Sequence, residues 1–159
     1  DLPYLLGRVL TFCHLADSTV QFSEGLFNLK LPTILATNEL GNLSRWVQVG
    51  PPSAKKLKRA LNLSPQPDIR VYFTNSDEVQ QFTHELRGSK QNWIKEVSFL
   101  QFEDGFLELL AEEVGYCPDW AVTFIDESVY INVDNRDFHA GLTQIDIWHE
   151  YQKALRTHS

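Results

Sequence analysis

Residues 32–53 read PTILATNELGNLSRWVQVGPPS, and this stretch decides the fold. Two strand-forming runs, residues 33–36 and 43–49, flank a turn rich in Asn and Gly, a pattern that predicts a β-hairpin. Gly50, Pro51 and Pro52 end the second run, and Ser53 is placed to cap a helix over residues 54–62. We expect the two strands to be antiparallel neighbours in a central sheet, with this helix packed beside them.

The elements on either side of the hairpin alternate between helix and strand. A first helix, with Asp1 as its N-cap, is predicted to residue 16 from apolar residues at spacings of three and four: Leu2, Leu5, Leu6, Val9, Leu10 and Cys13. Further strands are predicted at residues 19–22, 69–73, 97–102, 120–125, 128–133 and 138–147. Further helices are predicted from residues 75–77 to 87–88, over residues 106–114 and in the tail from His149. The order αβββαβαβαβββα predicts an α/β fold, with a mixed central β-sheet flanked by helices.

The composition excludes several classes of protein. The 159 residues suit one domain with one sizeable core. No apolar run approaches the roughly 18 residues of a membrane span, so no membrane association is expected. Two cysteines are too few for a disulfide-framed secreted domain, which makes the cytoplasm the expected compartment. The chain contains no methionine, so we expect that Asp1 is not the genetic N-terminus.

The charge is distributed unevenly along the chain. The net charge is −7, which argues against a uniformly basic DNA-coating protein. Residues 1–70 hold eight basic and five acidic side chains, whereas residues 71–159 hold six basic and 16 acidic ones. Only the first part of the chain therefore favours a polyanionic partner, and the alternative is an ordinary solvated acidic surface.

Several short segments, taken together in their order, resemble a known family. They are RVLTF at residues 8–12 followed by Ala16 and Asp17, VQFSEGL at residues 20–26, and WVQVGPP at residues 46–52. A Lys-rich helix comes next, and then YFT at residues 72–74, VSF at residues 97–99 and TFI at residues 123–125. Over nearly its whole length the chain resembles the bacterial YaeQ family.

This resemblance implies a restriction-endonuclease-like core of the PD-(D/E)xK nuclease superfamily. It also implies that residues 1–159 form a single YaeQ-like domain, without the β-rich segment that precedes the first helix in family members. Nucleases of this class hold Mg²⁺ with two carboxylates from a hairpin, one after a Pro and one in a W-(I/V)-E-x-G motif. A Lys from the following helix helps to orient or deprotonate the attacking water.

The sequence departs from the family at both carboxylate positions. Thr33 follows Pro32 where the first acidic residue belongs, and Gln48 replaces the Glu of the second motif, between Trp46 and Gly50. Two formal negative charges are therefore lost. The departure is either a true loss of the acidic pair or a misplacement of the ligands in the comparison.

Two other positions complete the degenerate site that the resemblance implies. Lys58 lies nearest the family's basic position, and Asp1 lies next to its further acidic residue. We expect Thr33 and Gln48 to face the same side of the sheet, near Lys58. No metal ion and no other cofactor is expected, and no catalytic residue is assigned.

We therefore expect a pseudonuclease that acts by binding a protein or nucleic-acid partner. The candidate surface is the basic helix with Lys55, Lys56, Lys58 and Arg59. Trp46 and Trp93 could stack on bases, but a Trp in a buried strand is usually part of the core. The alternative is a metal-dependent phosphodiesterase using Mg²⁺, with acidic ligands misplaced here or supplied from outside this sequence. A third reading is a structural subunit of a larger assembly.

Overall fold

The structure is a computed structural model, which describes residues 1–16, 20–22, 31–86, 92–114 and 119–156. Its helices are α1 (Leu2–Leu15), α2 (Ala54–Leu61), α3 (Ser76–Glu85), α4 (Phe106–Val114) and α5 (Ile147–Arg156), with a 3-10 helix over Asn92–Glu96. Its strands are β1 (Val20–Phe22), β2 (Ile34–Thr37), β3 (Leu43–Val49), β4 (Asp68–Phe73), β5 (Ser98–Phe102), β6 (Trp120–Ile125), β7 (Ser128–Val133) and β8 (Arg136–Ile145). No helix within these ranges is both long enough and apolar enough to span a membrane.

The strands form one mixed sheet in the order β1-β2-β3-β4-β5-β8-β7-β6. The central strands β3, β4 and β5 run parallel to one another, and the strands outside them pair antiparallel. Because parallel neighbours need a crossover, α2 joins β3 to β4, and α3 with the 3-10 helix joins β4 to β5. The predicted fold class and the predicted order of elements are both confirmed.

The two faces of the sheet carry separate hydrophobic cores. Under α1 and α4, buried side chains such as Leu10, Val47 and Leu107 form the first core. On the other face, α2, α3 and α5 cover a second core that includes Trp46 and Leu57. Side chains alternate along a strand, so β3 contributes Trp46 to one core and its neighbour Val47 to the other.

The sheet curls around the end of α1. The His14 ring lies against Tyr72 of β4, with 2.6 Å between Nδ1 and the hydroxyl oxygen, and against Phe124 of β6, with 4.9 Å between ring centroids. In the sheet, β4 and β6 are separated by β5, β8 and β7. The β6–β7 end of the sheet therefore folds back toward α1.

The hairpin predicted from residues 32–53 is confirmed. β2 and β3 pair antiparallel, with Leu35 opposite Trp46, and α2 packs Leu57 and Ala60 into the core that contains Trp46. Ser53 caps α2, because its Oγ accepts a hydrogen bond from the Lys56 N–H at 3.1 Å. The first strand is displaced by one residue and covers Ile34–Thr37, since the ladder of the hairpin ends at the pair Ile34–Val47.

The predicted strand over residues 138–147 is wrong at both ends. Asp134 and Asn135 adopt positive φ angles of 53° and 62°, as a two-residue hairpin turn requires, so β8 begins directly after them at Arg136. At the other end, Asp146 accepts a hydrogen bond from the His149 N–H at 3.0 Å and caps α5. The chain therefore becomes helical at Ile147.

The buried face of α1 differs from the predicted apolar face. Leu6 and Leu10 are buried as expected, but three other members of the predicted face are exposed: Leu2, Leu5 and Val9. Gly7 and Thr11 are buried in their place, because a small residue is needed where α1 meets α4; a Cβ on Gly7 would lie 3.2 Å from Leu107 Cδ1. Cys13, expected in the core, is only partly buried.

Some predicted boundaries fall outside the described residues. These are Thr19 at the start of β1, Arg87 and Gly88 at the end of α3, and the last residues of the tail.

Candidate functional site

The candidate site lies where β3 ends and turns into α2. The antiparallel register pairs Ile34 with Val47, and the next residues outward are Thr33 and Gln48. Thr33 and Gln48 therefore lie next to this last pair, at the end of the hairpin. Gln48 alternates with Val47 along β3 and so belongs to the face that α2 covers.

Both side chains are engaged with the backbone of Val49. Thr33 Oγ1 accepts a hydrogen bond from the Val49 N–H at 3.1 Å. Gln48 Nε2 and the Tyr4 hydroxyl each approach the Val49 carbonyl oxygen at 3.4 Å. The next residue, Gly50, has a φ of +88° and donates its N–H to the Tyr72 carbonyl at 2.9 Å. The two polar side chains thus fix the chain at the point where it leaves the sheet.

The residues at this point do not fit a magnesium site. Mg²⁺ is usually held by one or two carboxylates, whereas Thr33 and Gln48 offer a hydroxyl that already accepts a hydrogen bond and a neutral amide. The Gln48 Oε1 atom is buried and finds no hydrogen-bond partner, so a single neutral oxygen is left over. Asp1 uses its carboxylate to cap α1 by accepting from the Tyr4 N–H at 2.8 Å. Within the described ranges, no group of three or more His, Cys, Asp or Glu side chains could hold a metal ion.

The basic residues of α2 divide between two directions. Lys55, Lys58 and Arg59 are exposed, whereas Lys56 is partly buried, and burial lowers the pKa of its ammonium group. The Lys56 Nζ atom lies 6.0 Å from the ring centroid of Trp46, the strand residue two positions before Gln48. Lys56 is therefore the cation of α2 that contacts the strand carrying Gln48.

Lys58 contacts a different element from the one that the resemblance implies. Its Nζ atom lies 6.0 Å from the ring centroid of Trp93, on the 3-10 helix. On that same 3-10 helix, Lys95 Nζ lies 5.2 Å from the ring centroid of Trp148 at the start of α5. Cations at these distances from an indole ring make favourable cation–π contacts.

The contacts of Lys58 and Lys95 join α2, the 3-10 helix and α5 into one surface. We call it the Lys–Trp surface, and its members are Lys55, Lys58, Arg59, Trp93, Lys95 and Trp148. Sequence reasoning missed Lys95 and Trp148, because they are far apart in the chain and no local spacing connects them. Trp46, which the sequence analysis named as a ring that could stack on bases, is only 3% exposed and belongs to the core.

Comparison with known proteins gives relatives for the fold. The family model described as YaeQ protein matches residues 2–142. Two solved structures are similar, those of YaeQ proteins from Xanthomonas axonopodis pv. citri, with a TM-score of 0.74, and from Pseudomonas syringae, with a TM-score of 0.67. Each is 17% identical to this chain; the alignments cover 91% of it and 80% and 79% of the respective relatives. No curated protein matches the sequence.

Proposed function

This chain belongs to the YaeQ family, as the resemblance of its sequence segments predicts, and we propose that it acts by binding a protein or nucleic-acid partner rather than by metal-dependent catalysis. The resemblance to the family identifies the positions of Thr33 and Gln48 as those at which nucleases of this class carry their two carboxylates. The single observation that carries it is the use of Thr33 and Gln48 on the backbone of Val49. Side chains that bind the backbone in this way stabilise the turn and do not bind a metal ion.

Electrostatics supports the loss of metal chemistry. A nuclease metal ion activates water and neutralises the charge that develops on the phosphate. Mg²⁺ gives up its own water reluctantly, so its ligands must offset that cost with negative charge. Thr33 and Gln48 contribute no charge, and Asp1 already caps a helix.

The Lys–Trp surface supports a nucleic-acid partner over an acidic protein. Four cations line it, α2 contains no acidic residue between Ala54 and Leu61, and the 3-10 helix contributes one, Glu96. The partly buried rings of Trp93 and Trp148 lie beside these cations and offer stacking faces to unpaired bases. Binding through such a surface is expected to be weak and sensitive to salt, because the whole chain carries a net charge of −7.

The test is fluorescence anisotropy with a labelled single-stranded DNA and its duplex, at low and moderate salt. We expect saturable binding that favours the single strand and weakens steeply as salt rises, because phosphate contacts release counterions. The triple change Lys55→Glu, Lys58→Glu and Arg59→Glu is expected to abolish this binding.

Two matched double variants test whether binding depends on where positive charge is removed or only on how much is removed. Lys55→Gln with Lys58→Gln is expected to weaken binding about tenfold, because two phosphate contacts are removed. Arg136→Gln with Lys153→Gln removes the same charge from β8 and the far part of α5 and is expected to change binding little. Unchanged binding in the triple variant would place the nucleic-acid site elsewhere. If the unmodified protein binds neither DNA, a protein partner is the remaining form of the proposal, and co-purification would identify that partner.

A further inference from the structure

A polar recess lies inside the curl of the sheet, on the face opposite α2. It has a volume of about 250 Å³ and lies between the end of α1, the strands β4, β5 and β8, and the turn from β6 to β7. Its polar lining consists of His14, Arg70, Ser98, Asp126, Glu127 and Gln144. Neither the family resemblance nor the proposed partner binding uses this recess.

Two polar contacts fix side chains that line the recess or lie beside it. Arg70 Nε and Nη2 lie 3.2 and 3.1 Å from Asp68 Oδ2. The Tyr72 hydroxyl oxygen lies 2.6 Å from His14 Nδ1. In the tautomer that accepts the phenol hydrogen at Nδ1, the proton of the neutral ring sits on Nε2.

Burial supports this protonation state. Tyr72 is fully buried, and burial raises the pKa of its phenol, which therefore stays a donor. Burial of the His14 ring, and next the positive charge of Arg70, lower the pKa of the imidazole. The recess is thus lined by a neutral imidazole with one N–H and by a guanidinium.

The basic and acidic groups of the recess come from different elements. Arg70 and Ser98 are direct neighbours on β4 and β5, so a guanidinium and a hydroxyl adjoin there. The carboxylates of Asp126 and Glu127 belong to the exposed turn between β6 and β7. Glu127 accepts one hydrogen bond, from the Gln144 N–H at 3.1 Å, through only one of its two oxygens.

A lining that holds both signs of charge favours a ligand that carries both charges. A simple anion would be attracted by Arg70 but repelled by the carboxylates of Asp126 and Glu127, and a simple cation would be attracted by the carboxylates but repelled by Arg70. The volume equals that of about eight liquid waters, which suits a molecule of similar size. Leu100 and Leu142 add apolar lining for a short side chain.

We propose that the recess binds a free amino acid. Its carboxylate pairs with the Arg70 guanidinium and the His14 Nε2–H, its ammonium group faces Asp126 and Glu127, and its side chain lies against Leu100 and Leu142. The recess adjoins the Lys–Trp surface at Glu127 and Gln144 but shares none of its members, so either proposal can fail without the other.

The test records the imidazole signals of His14 by ¹⁵N NMR while each of the twenty standard L-amino acids is added. At least one is expected to shift the His14 Nε2 signal in a saturable way. Its N-acetyl derivative lacks the positive charge and its amide lacks the negative charge, and each is expected to bind about tenfold more weakly, the loss of about 1.4 kcal/mol. No saturable shift with any of the twenty, or a derivative that binds as tightly as its parent amino acid, would overturn the proposal.

Variants locate the contact. Arg70→Gln and Glu127→Gln are each expected to weaken binding about tenfold by removing one of the two charge partners. Glu127 lies on an exposed turn, so its variant tests the site even if Arg70→Gln fails to fold. Arg136→Gln, on an exposed part of β8, is the matched control and is expected to keep full affinity. Unchanged affinity in folded Arg70→Gln or in Glu127→Gln would refute the assignment.

Discussion

Thr33 and Gln48 use their polar groups on the backbone of one residue, Val49. A carboxylate at position 48 would have no N–H to donate to the Val49 carbonyl oxygen, and one at position 33 would replace the neutral acceptor of the Val49 N–H with a charge. The neutral pair instead satisfies the backbone where the chain leaves β3. At the residue scale, the candidate site is therefore part of the support of the turn at Gly50.

Gly50 provides the first prediction. Its φ of +88° is unfavourable for residues with a Cβ, while the nearest atoms to such a Cβ, Tyr4 Cε2 and Glu78 Oε2, lie at ordinary contact distances of 3.7 and 3.8 Å. Gly50→Ala should therefore lower the free energy of unfolding by about 1–2 kcal/mol through backbone strain alone. Gly141→Ala is the control, because Gly141 has no positive φ. Urea denaturation measures both, and equal midpoints for the two variants would contradict the account of the turn.

His14 provides a prediction about pH. Burial and the charge of Arg70 lower the pKa of its imidazole below the ordinary value of 6.5, so the folded state disfavours the protonated ring. Between that ordinary value and the lower folded value, the unfolded chain binds more protons, and the free energy of unfolding must fall as pH falls. His14→Gln should remove this part of the slope. Denaturation curves at several pH values from 7.5 to about 5 test it, and identical slopes in the two proteins would count against it.

At the scale of elements, α2 illustrates how the sequence builds the candidate surface. Gly50, Pro51 and Pro52 end β3, and Ser53 starts the helix by accepting from the Lys56 N–H. The helix then buries Leu57 and Ala60 against the sheet, which leaves its basic residues on the outside. The position of the cations is therefore a consequence of the core contacts.

Removal of the helix cap tests this element. Ser53→Ala should lower the free energy of unfolding by about 1 kcal/mol, because one N–H in the first turn of α2 loses its acceptor. Ser53→Asp should keep most of the stability, since Asp also caps helices and its charge suits a helix N-terminus. Thermal denaturation compares the three proteins. A Ser53→Asp variant as unstable as Ser53→Ala would show that capping is not the cause.

Local patterns predicted most elements, because hairpins and caps depend on neighbouring residues. The hairpin of β2 and β3 and the cap of α2 are examples. The buried face of α1 could not be predicted in this way, because this helix is apolar on all sides. Its buried face contains Gly7 and Thr11, and neither residue counts as apolar in a periodicity pattern. Gly7 is buried because it allows the close approach of Leu107.

The candidate surfaces depend on contacts between distant elements. Lys95 and Trp148 meet only because the 3-10 helix and α5 pack on the same face of the sheet. Likewise, His14 reaches Tyr72 and Phe124 because the sheet curls around α1. No spacing within one element encodes either arrangement, so the sequence alone revealed the Lys-rich helix but not the full Lys–Trp surface or the recess.

At the scale of the whole molecule, a basic surface lies on an acidic protein. The net charge of −7 opposes polyanions in general, so a nucleic acid must gain its affinity locally, on the Lys–Trp surface. The same arrangement disfavours extended contact with a duplex backbone. A partner held by a few phosphates and stacked bases is the expected consequence.

The central claim is that this YaeQ-family chain binds a partner without metal catalysis, and calorimetric titration with Mg²⁺ and Mn²⁺ tests it most directly. The account predicts no saturable heat at millimolar metal and no cleavage of single-stranded or duplex DNA by the purified protein. The double change Thr33→Asp with Gln48→Glu should introduce saturable metal binding, because it supplies the two missing carboxylates. Saturable binding together with metal-dependent cleavage by the unmodified protein would contradict the claim and would establish the phosphodiesterase alternative.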